Sequence, residues 1–157
     1  TTVYRRWGTV PNLVADLLLD MAEQSVSRTD TGTLLGDLTA NAHLVQRTLT
    51  DPRQGPLFKA IIAAAISDPR TAQALRDFYD TRINEWAPCV ALAIDRGEVP
   101  ADTDPHEVIR AVSAPLYYRL LVTGEVLDEA AADRAARAAT AAARAGTYRT
   151  EPAGSIG

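Results

Sequence analysis

The stretch TTVYRRWGTVPNL, at the start of the sequence, gathers side chains that can make directional polar contacts. At 100° per residue, Thr1, Thr2, Arg5 and Arg6 fall on one side of a helix, and Val3, Tyr4 and Trp7 on the other. Hydroxyl and guanidinium donors in that pattern suit phosphate oxygens and base edges, while the aromatic side suits a core. An amphipathic surface helix with two solvated arginines fits the same residues. Gly8 ends this segment, Thr9 is an N-cap, and Pro11 is tolerated in the first turn of the helix that follows.

Catalytic chemistry has no comparable signature. There is no Ser-His-Asp order, HExxH, Glu-x-x-His pair or phosphate-cradling glycine loop. Asp104 to Glu107 is explained by helix capping. One Cys excludes a multi-thiolate zinc site, and His43 and His106 lack metal-ligand spacing, so neither a metal nor a cofactor is expected. Cys89 has no basic neighbour in sequence to activate it. The chain reads as a non-enzyme.

With 157 residues and 46% hydrophobic content, the chain can build one sizeable core but not two full domains. A formal charge of −4 argues against nucleic-acid binding over the whole surface, so any basic footprint must be local. The sequence holds no run of about twenty apolar residues and no charged n-region. A soluble, cytoplasmic protein is expected.

Strand patterns are nearly absent and 3.6-period apolar stretches recur, so an all-α protein is predicted. A helix from about Val10 to Gln24 precedes the loop SVSRTDTG, and a second runs from about Thr33 to Thr48. PLFKAIIAAAI is almost wholly apolar, which predicts burial on most sides. Asp68 and Pro69 open a long helix through Asp95, with Leu75, Tyr79, Ile83, Trp86, Val90 and Ile94 as one stripe. Pro88 inside it predicts a kink near Asn84 to Pro88. Asp104, Pro105 and Glu107 form a capping box for a helix that contains Pro115 and stops at Gly124. An Ala-rich helix spans about Asp128 to Ala145, and the tail from residue 149 reads as disordered.

Ala111 to Val122 is apolar on nearly all sides, and the closing helix is mostly alanine with a few arginines. A symmetric partner using the same two helices in a four-helix interface would cover both; packing on the chain's own core is the alternative.

TTVYRRWGTVPNLV resembles the recognition-helix, turn and next-helix segment of TetR/AcrR-type transcriptional regulators, and APLYYRLLVTGEVLDEAAADR resembles the dimerisation-region motif of one large subgroup of that family. The resemblance implies a TetR-like helical bundle in which the first two helices and most of the third precede Thr1. Residues 1–24 would then be the remnant of a helix-turn-helix domain with its connecting helix, 33–148 a ligand-binding and dimerisation domain, and 149–157 the tail. It assigns Thr1, Thr2, Tyr4, Arg5, Arg6 and Thr9 to DNA, with Tyr4 as the family's phosphate-contacting tyrosine. Where the family usually carries Lys, two residues after the turn glycine, this sequence has Val10, so that phosphate contact is missing.

The resemblance also implies a small hydrophobic effector bound among the middle helices. Leu38, Phe58, Ile62, Trp86, Cys89, Val90, Tyr117 and Tyr118 are the candidates, each of which also fits ordinary core packing. Trp86 and Cys89 stand out because the Pro88 kink would open space beside them. Tyr117 and Tyr118 point about 100° apart, so one is expected in the pocket and the other at the partner. His43 fits a solvent-facing or satisfied histidine better than a pocket group. Leu116, Arg119, Leu120, Ala131, Arg134 and Ala138 are the candidate dimer contacts. The implied function is a ligand-responsive repressor that binds operator DNA as a homodimer. A dimeric small-molecule- or protein-binding module that has lost DNA binding is the alternative.

Overall fold

The computed structural model describes residues 10–23 and 30–151. Six α-helices follow in order: α1 Val10–Glu23, α2 Leu34–Thr50, α3 Gln54–Ser67, α4 Pro69–Asp95, α5 Pro105–Tyr118 and α6 Glu129–Arg144. A π-helical turn, Arg119–Thr123, extends α5. Among the described residues the one extended pairing is an isolated antiparallel bridge between Thr103 and Arg149. The all-α expectation holds.

The chain divides into two compact units. One contains α1, α3 and α4 as far as Glu85; the other contains α2 as far as Arg47, α4 from Trp86, α5, the π-turn and α6. In the first unit Val14 and Leu18 of α1, Phe58 and Ile61 of α3, and Phe78 of α4 are buried. Phe58 and Phe78 meet at a centroid distance of 5.6 Å, and Phe78 meets Tyr79 edge-on at 5.2 Å. The Arg82 guanidinium lies 5.8 Å from the Phe78 ring centroid, covering the aromatic cluster with a cation.

Two sequence expectations fail in this unit. The apolar α3 is not buried on most sides: Lys59, Ala60 and Ala63 are exposed, and Ile66 is 86% exposed. Alanine adds little apolar surface, so an Ala-rich helix can be apolar in composition and still face solvent. The buried positions of α4 here are Thr71 and Phe78, while Leu75, Tyr79 and Ile83 are only half-buried. Thr71 can turn inward because its hydroxyl is spent on the helix cap, donating to Asp68 at 2.6 Å. Pro88 does not interrupt α4; it is exposed, so its ring sits on the solvent side of a continuous helix.

In the second unit α5 packs on α6. The face that α6 buries is Ala131, Ala132, Ala135, Ala136, Ala139, Thr140 and Ala143. Side chains this small let two helix backbones approach, and Val108, Ile109, Val112 and Leu116 of α5 supply the bulk. Thr140 satisfies its hydroxyl on the Ala136 carbonyl at 2.8 Å, so it costs no unpaired donor.

The α5 cap departs from the capping-box expectation. The Asp104 carboxylate accepts from the N–H groups of His106 at 2.9 Å and Glu107 at 3.4 Å, as a cap should. Glu107 does not reciprocate: it binds Arg110 at 2.6 Å, while the Asp104 N–H donates to the Tyr148 carbonyl at 2.7 Å. A tertiary acceptor has taken the role of the local one. That bond belongs to a strap that also holds residues 149 and 150, the start of the segment read from sequence as a disordered tail. The Thr150 N–H donates to the Asp102 carbonyl at 2.8 Å, and Arg149 pairs with Asp102 at 3.1 Å. Residues 152–157 lie outside the described part.

Glu98 fastens three segments of this unit. Its Oε2 accepts the Leu34 N–H at the start of α2 at 3.0 Å and lies 3.9 Å from Arg144 at the end of α6; its Oε1 accepts from Arg96 at 2.6 Å. Burial pushes its pKa up, but the Leu34 N–H and the Arg96 guanidinium outweigh this and hold the carboxyl below the usual glutamate range. Because the folded-state pKa is the lower one, its contribution is complete above the ordinary glutamate value and is lost as pH falls through the folded value. Glu98→Ala should therefore cost about 1–3 kcal/mol at neutral pH, much of it from the orphaned N–H at the start of α2. Urea denaturation across a pH series should show the Glu98-dependent difference shrinking in acid.

Candidate functional site

Every polar residue assigned to nucleic-acid contact by sequence, Thr1, Thr2, Tyr4, Arg5, Arg6 and Thr9, lies outside the described residues. The helix that follows them, α1, begins at Val10 as expected.

The ligand candidates divide between the units. Phe58 and Ile62 belong to the first; Leu38, Trp86, Cys89, Val90, Tyr117 and Tyr118 belong to the second. Leu38, Phe58, Trp86, Cys89 and Val90 are buried, Ile62 and Tyr117 are half-buried, and Tyr118 is 58% exposed. The two adjacent phenols do point apart, with Tyr118 the one turned outward. Phe78 was missed among the candidates although it touches Phe58; its neighbour Tyr79 lay on the chosen stripe, 100° away around the helix.

Polar groups are few in the second unit's interior. The His43 imidazole meets the Asp133 carboxylate at 2.7 Å, joining α2 to α6 as a satisfied, half-exposed histidine. Gln46, one turn further along α2, donates to the Leu127 carbonyl at 3.0 Å. On the buried side of the same helix stand Asp37 and Asn41. Sequence reading missed both, because an isolated Asp or Asn on a helix is usually solvated. Their spacing with Leu34, Leu38 and Ala42 was the available signal.

The apolar surface of this unit concentrates at the end of α5. Tyr118, Leu121, Val122 and Val126 are all exposed. The π-turn presents them: the Gly124 N–H reaches back to the Arg119 carbonyl at 2.9 Å, and Gly124 takes a left-handed φ of 63° that stops the helix. Arg119 braces the following loop, pairing with Glu125 at 3.2 Å and donating to the Val126 carbonyl at 3.3 Å. Of the six dimer candidates, Arg134 and Ala138 are exposed, and Arg119 and Leu120 are half-buried. Leu116 and Ala131 are covered by their own chain, where they fill the α5–α6 core.

Residues 28–139 match the family described as Tetracyclin repressor-like, C-terminal domain. The chain belongs to the TetR family. It is 28% identical over 129 residues to the uncharacterized HTH-type transcriptional regulator YdeS of Bacillus subtilis (strain 168), covering 82% of this chain and 65% of YdeS. It is 31% identical over 108 residues to the HTH-type transcriptional regulator AqdR of Rhodococcus erythropolis, covering 69% of this chain and 52% of AqdR. The chain thus spans less than two thirds of the length of either relative. The crystal structure of the TetR family transcription regulator SCO0332 superposes with a TM-score of 0.76 at 25% identity, covering 90% of this chain and 78% of that one. The family and these relatives are transcriptional regulators, not enzymes. Among the described residues no group of three or more His, Cys, Asp and Glu side chains could hold a metal ion, and no helix is long and apolar enough to cross a membrane.

The aromatic cluster of the first unit is where a single truncation should weigh most. Phe58→Ala removes a side chain that is 1% exposed and leaves Phe78 facing a void, so a loss of about 3–5 kcal/mol is expected in urea denaturation.

Proposed function

We propose that this chain is the effector-binding and dimerisation part of a transcriptional repressor, which binds operator DNA as a homodimer and is released by a small hydrophobic molecule. The observation that carries the reading is the match of residues 28–139 to the tetracycline repressor-like C-terminal domain, in a chain whose relatives are HTH-type regulators. In this reading Thr1, Thr2, Tyr4, Arg5, Arg6 and Thr9 end the recognition helix and contact phosphates or base edges. Two such helices would enter successive major grooves about 34–36 Å apart.

The dimer forms through the exposed end of α5, the π-turn and the outer face of α6. Tyr118, Leu121 and Val122 supply apolar area, and Arg134 and Ala138 lie on the open face of α6. The effector binds among the buried side chains of the middle helices. It must favour the DNA-incompetent state, and a coupling of about 1–3 kcal/mol suffices for a 5- to 150-fold change in operator affinity. α4 contributes to both units, which supports it as the element through which occupancy biases α1 and the DNA-contacting residues.

Val10 favours a second reading. An apolar side chain stands where the family usually places a phosphate-binding lysine, as in a dimeric small-molecule- or protein-binding module that no longer holds DNA.

Gel shifts of the full-length gene product on its own promoter DNA, across a salt series, separate the two readings. Binding to a palindrome that weakens steeply with salt is the expected result; a folded dimer that leaves the DNA unshifted at low salt establishes the module instead. The dimer surface is tested by Val122→Asp, a change at an exposed position that leaves the chain's own core intact. Sedimentation should show the parent protein as a dimer and the variant shifted towards monomer. A variant that remains fully dimeric removes this surface from the reading.

A further inference from the structure

We infer that the second unit carries an internal recognition site for a protonated amine, formed by Asp37 and Asn41 on the buried face of α2. The inference rests on the effector reading above and gives that effector a chemical class.

Asp37 is 0% exposed and Asn41 4%. They are separated by four residues on one helix, which places them on one face with Cβ atoms about 5–6 Å apart. That face is otherwise apolar, made of Leu34, Leu38 and Ala42. The Asp37 carboxylate is half used: Oδ1 accepts the Thr31 N–H at 2.8 Å and the Thr31 hydroxyl at 2.9 Å. Among the described residues its Oδ2 has no hydrogen-bond partner, nor has the Asn41 Oδ1. Two bare acceptors within one helical turn, in a core where buried polar groups are almost always paired, call for a donor.

The number of donors and the charge select its class. An ammonium carries three donors and no acceptor, the complement of a pair of bare acceptors. Arg96 is held above its usual range, first by its bond to Glu98 and further by the fields of Asp37 and Asp30. Arg144 is the second cation at Glu98. A carboxylate-bearing ligand would set its charge against that of Asp37 and offer no donor.

Close packing holds the site in shape. A Cβ on Gly36 would overlap the Thr31 hydroxyl, the same hydroxyl that orients Asp37, so Gly36 permits the approach that fixes Oδ1. Thr33 caps the helix by accepting the Gly36 N–H at 3.1 Å, so the turn that carries Asp37 is anchored at both ends.

The test is isothermal titration of the whole chain with three probes of one shape, hexylamine, hexan-1-ol and hexanoate. The amine should bind about ten-fold or more tighter than the alcohol, and hexanoate weakest. Asp37→Asn keeps an acceptor for Thr31 but replaces Oδ2 by an NH2 group; it should reduce amine affinity to that of the alcohol. Asn41→Leu, of similar volume in an apolar stripe, should weaken the amine several-fold and leave the alcohol unchanged. It serves as the independent variant if Asp37→Asn fails to fold. An amine that binds no tighter than a saturably bound alcohol overturns the amine site and leaves the effector reading standing. Binding of none of the three probes also overturns the amine site; the effector reading is then decided by whether any small molecule releases the full-length protein from operator DNA.

Discussion

The second unit depends on how closely α6 can lie against α5. Every residue that α6 buries is Ala or Thr, so the helix contributes backbone proximity and not side-chain volume. Helix propensity supports the same choice, since Ala is the residue that loses least on entering a helix. The cost is that α6 cannot fill a core by itself. Val108, Ile109, Val112 and Leu116 must project from α5 onto it, and those four are buried as a consequence. With that face committed to the chain's own interior, the apolar residues left over at the end of α5 have nowhere to go but outward. Tyr118, Leu121, Val122 and Val126 are exposed for this reason. The exposed patch and the alanine-lined core are two sides of one packing solution.

Local polar chemistry then holds the ends of these helices. Glu98 reaches the first N–H of α2, and residues 102–104 are tied to residues 148–150 by backbone bonds and one ion pair. Both arrangements satisfy groups that a helix end leaves open, and both use residues distant in sequence. The link between α4 and α5 is thereby tied both to the start of α2 and to the segment that follows α6. A short connection can be held without being apolar when its amides and carbonyls find partners outside the helices.

Much of this was legible in the sequence. Asp68, Asp104 and Asp128 mark helix starts by types and spacings that act locally, and Gly97 and Gly124 mark ends by φ values of 74° and 63° that other residues adopt at a cost. What was not legible depended on tertiary competition. Glu107 has the right spacing for a capping box, yet the Tyr148 carbonyl takes the bond, and no local rule could weigh a partner so far along the chain. The inward residue of α4 at the aromatic cluster is Phe78 and not Tyr79, a rotation of one residue that periodicity alone cannot fix when both are aromatic. At Leu116 and Ala131 the amphipathic pattern marks a face as buried without saying by what, and the chain's own core covers both.

The same limit governs the site. Apolar candidates such as Leu38, Cys89 and Val90 are buried as expected, but burial is what any core residue shows, so it does not separate a pocket wall from plain packing. A polar side chain inside an apolar stripe is more informative, because its placement costs stability unless something pairs with it. Asp37 repays part of that cost through Thr31, and Thr31 can approach only because residue 36 is glycine. Three residues are thus arranged to keep one carboxylate inside the protein with one oxygen that takes no donor among the described residues. A helix start needed only to be capped would be served by Thr33 alone. The additional residues make sense if the inward-facing carboxylate is itself what the arrangement maintains.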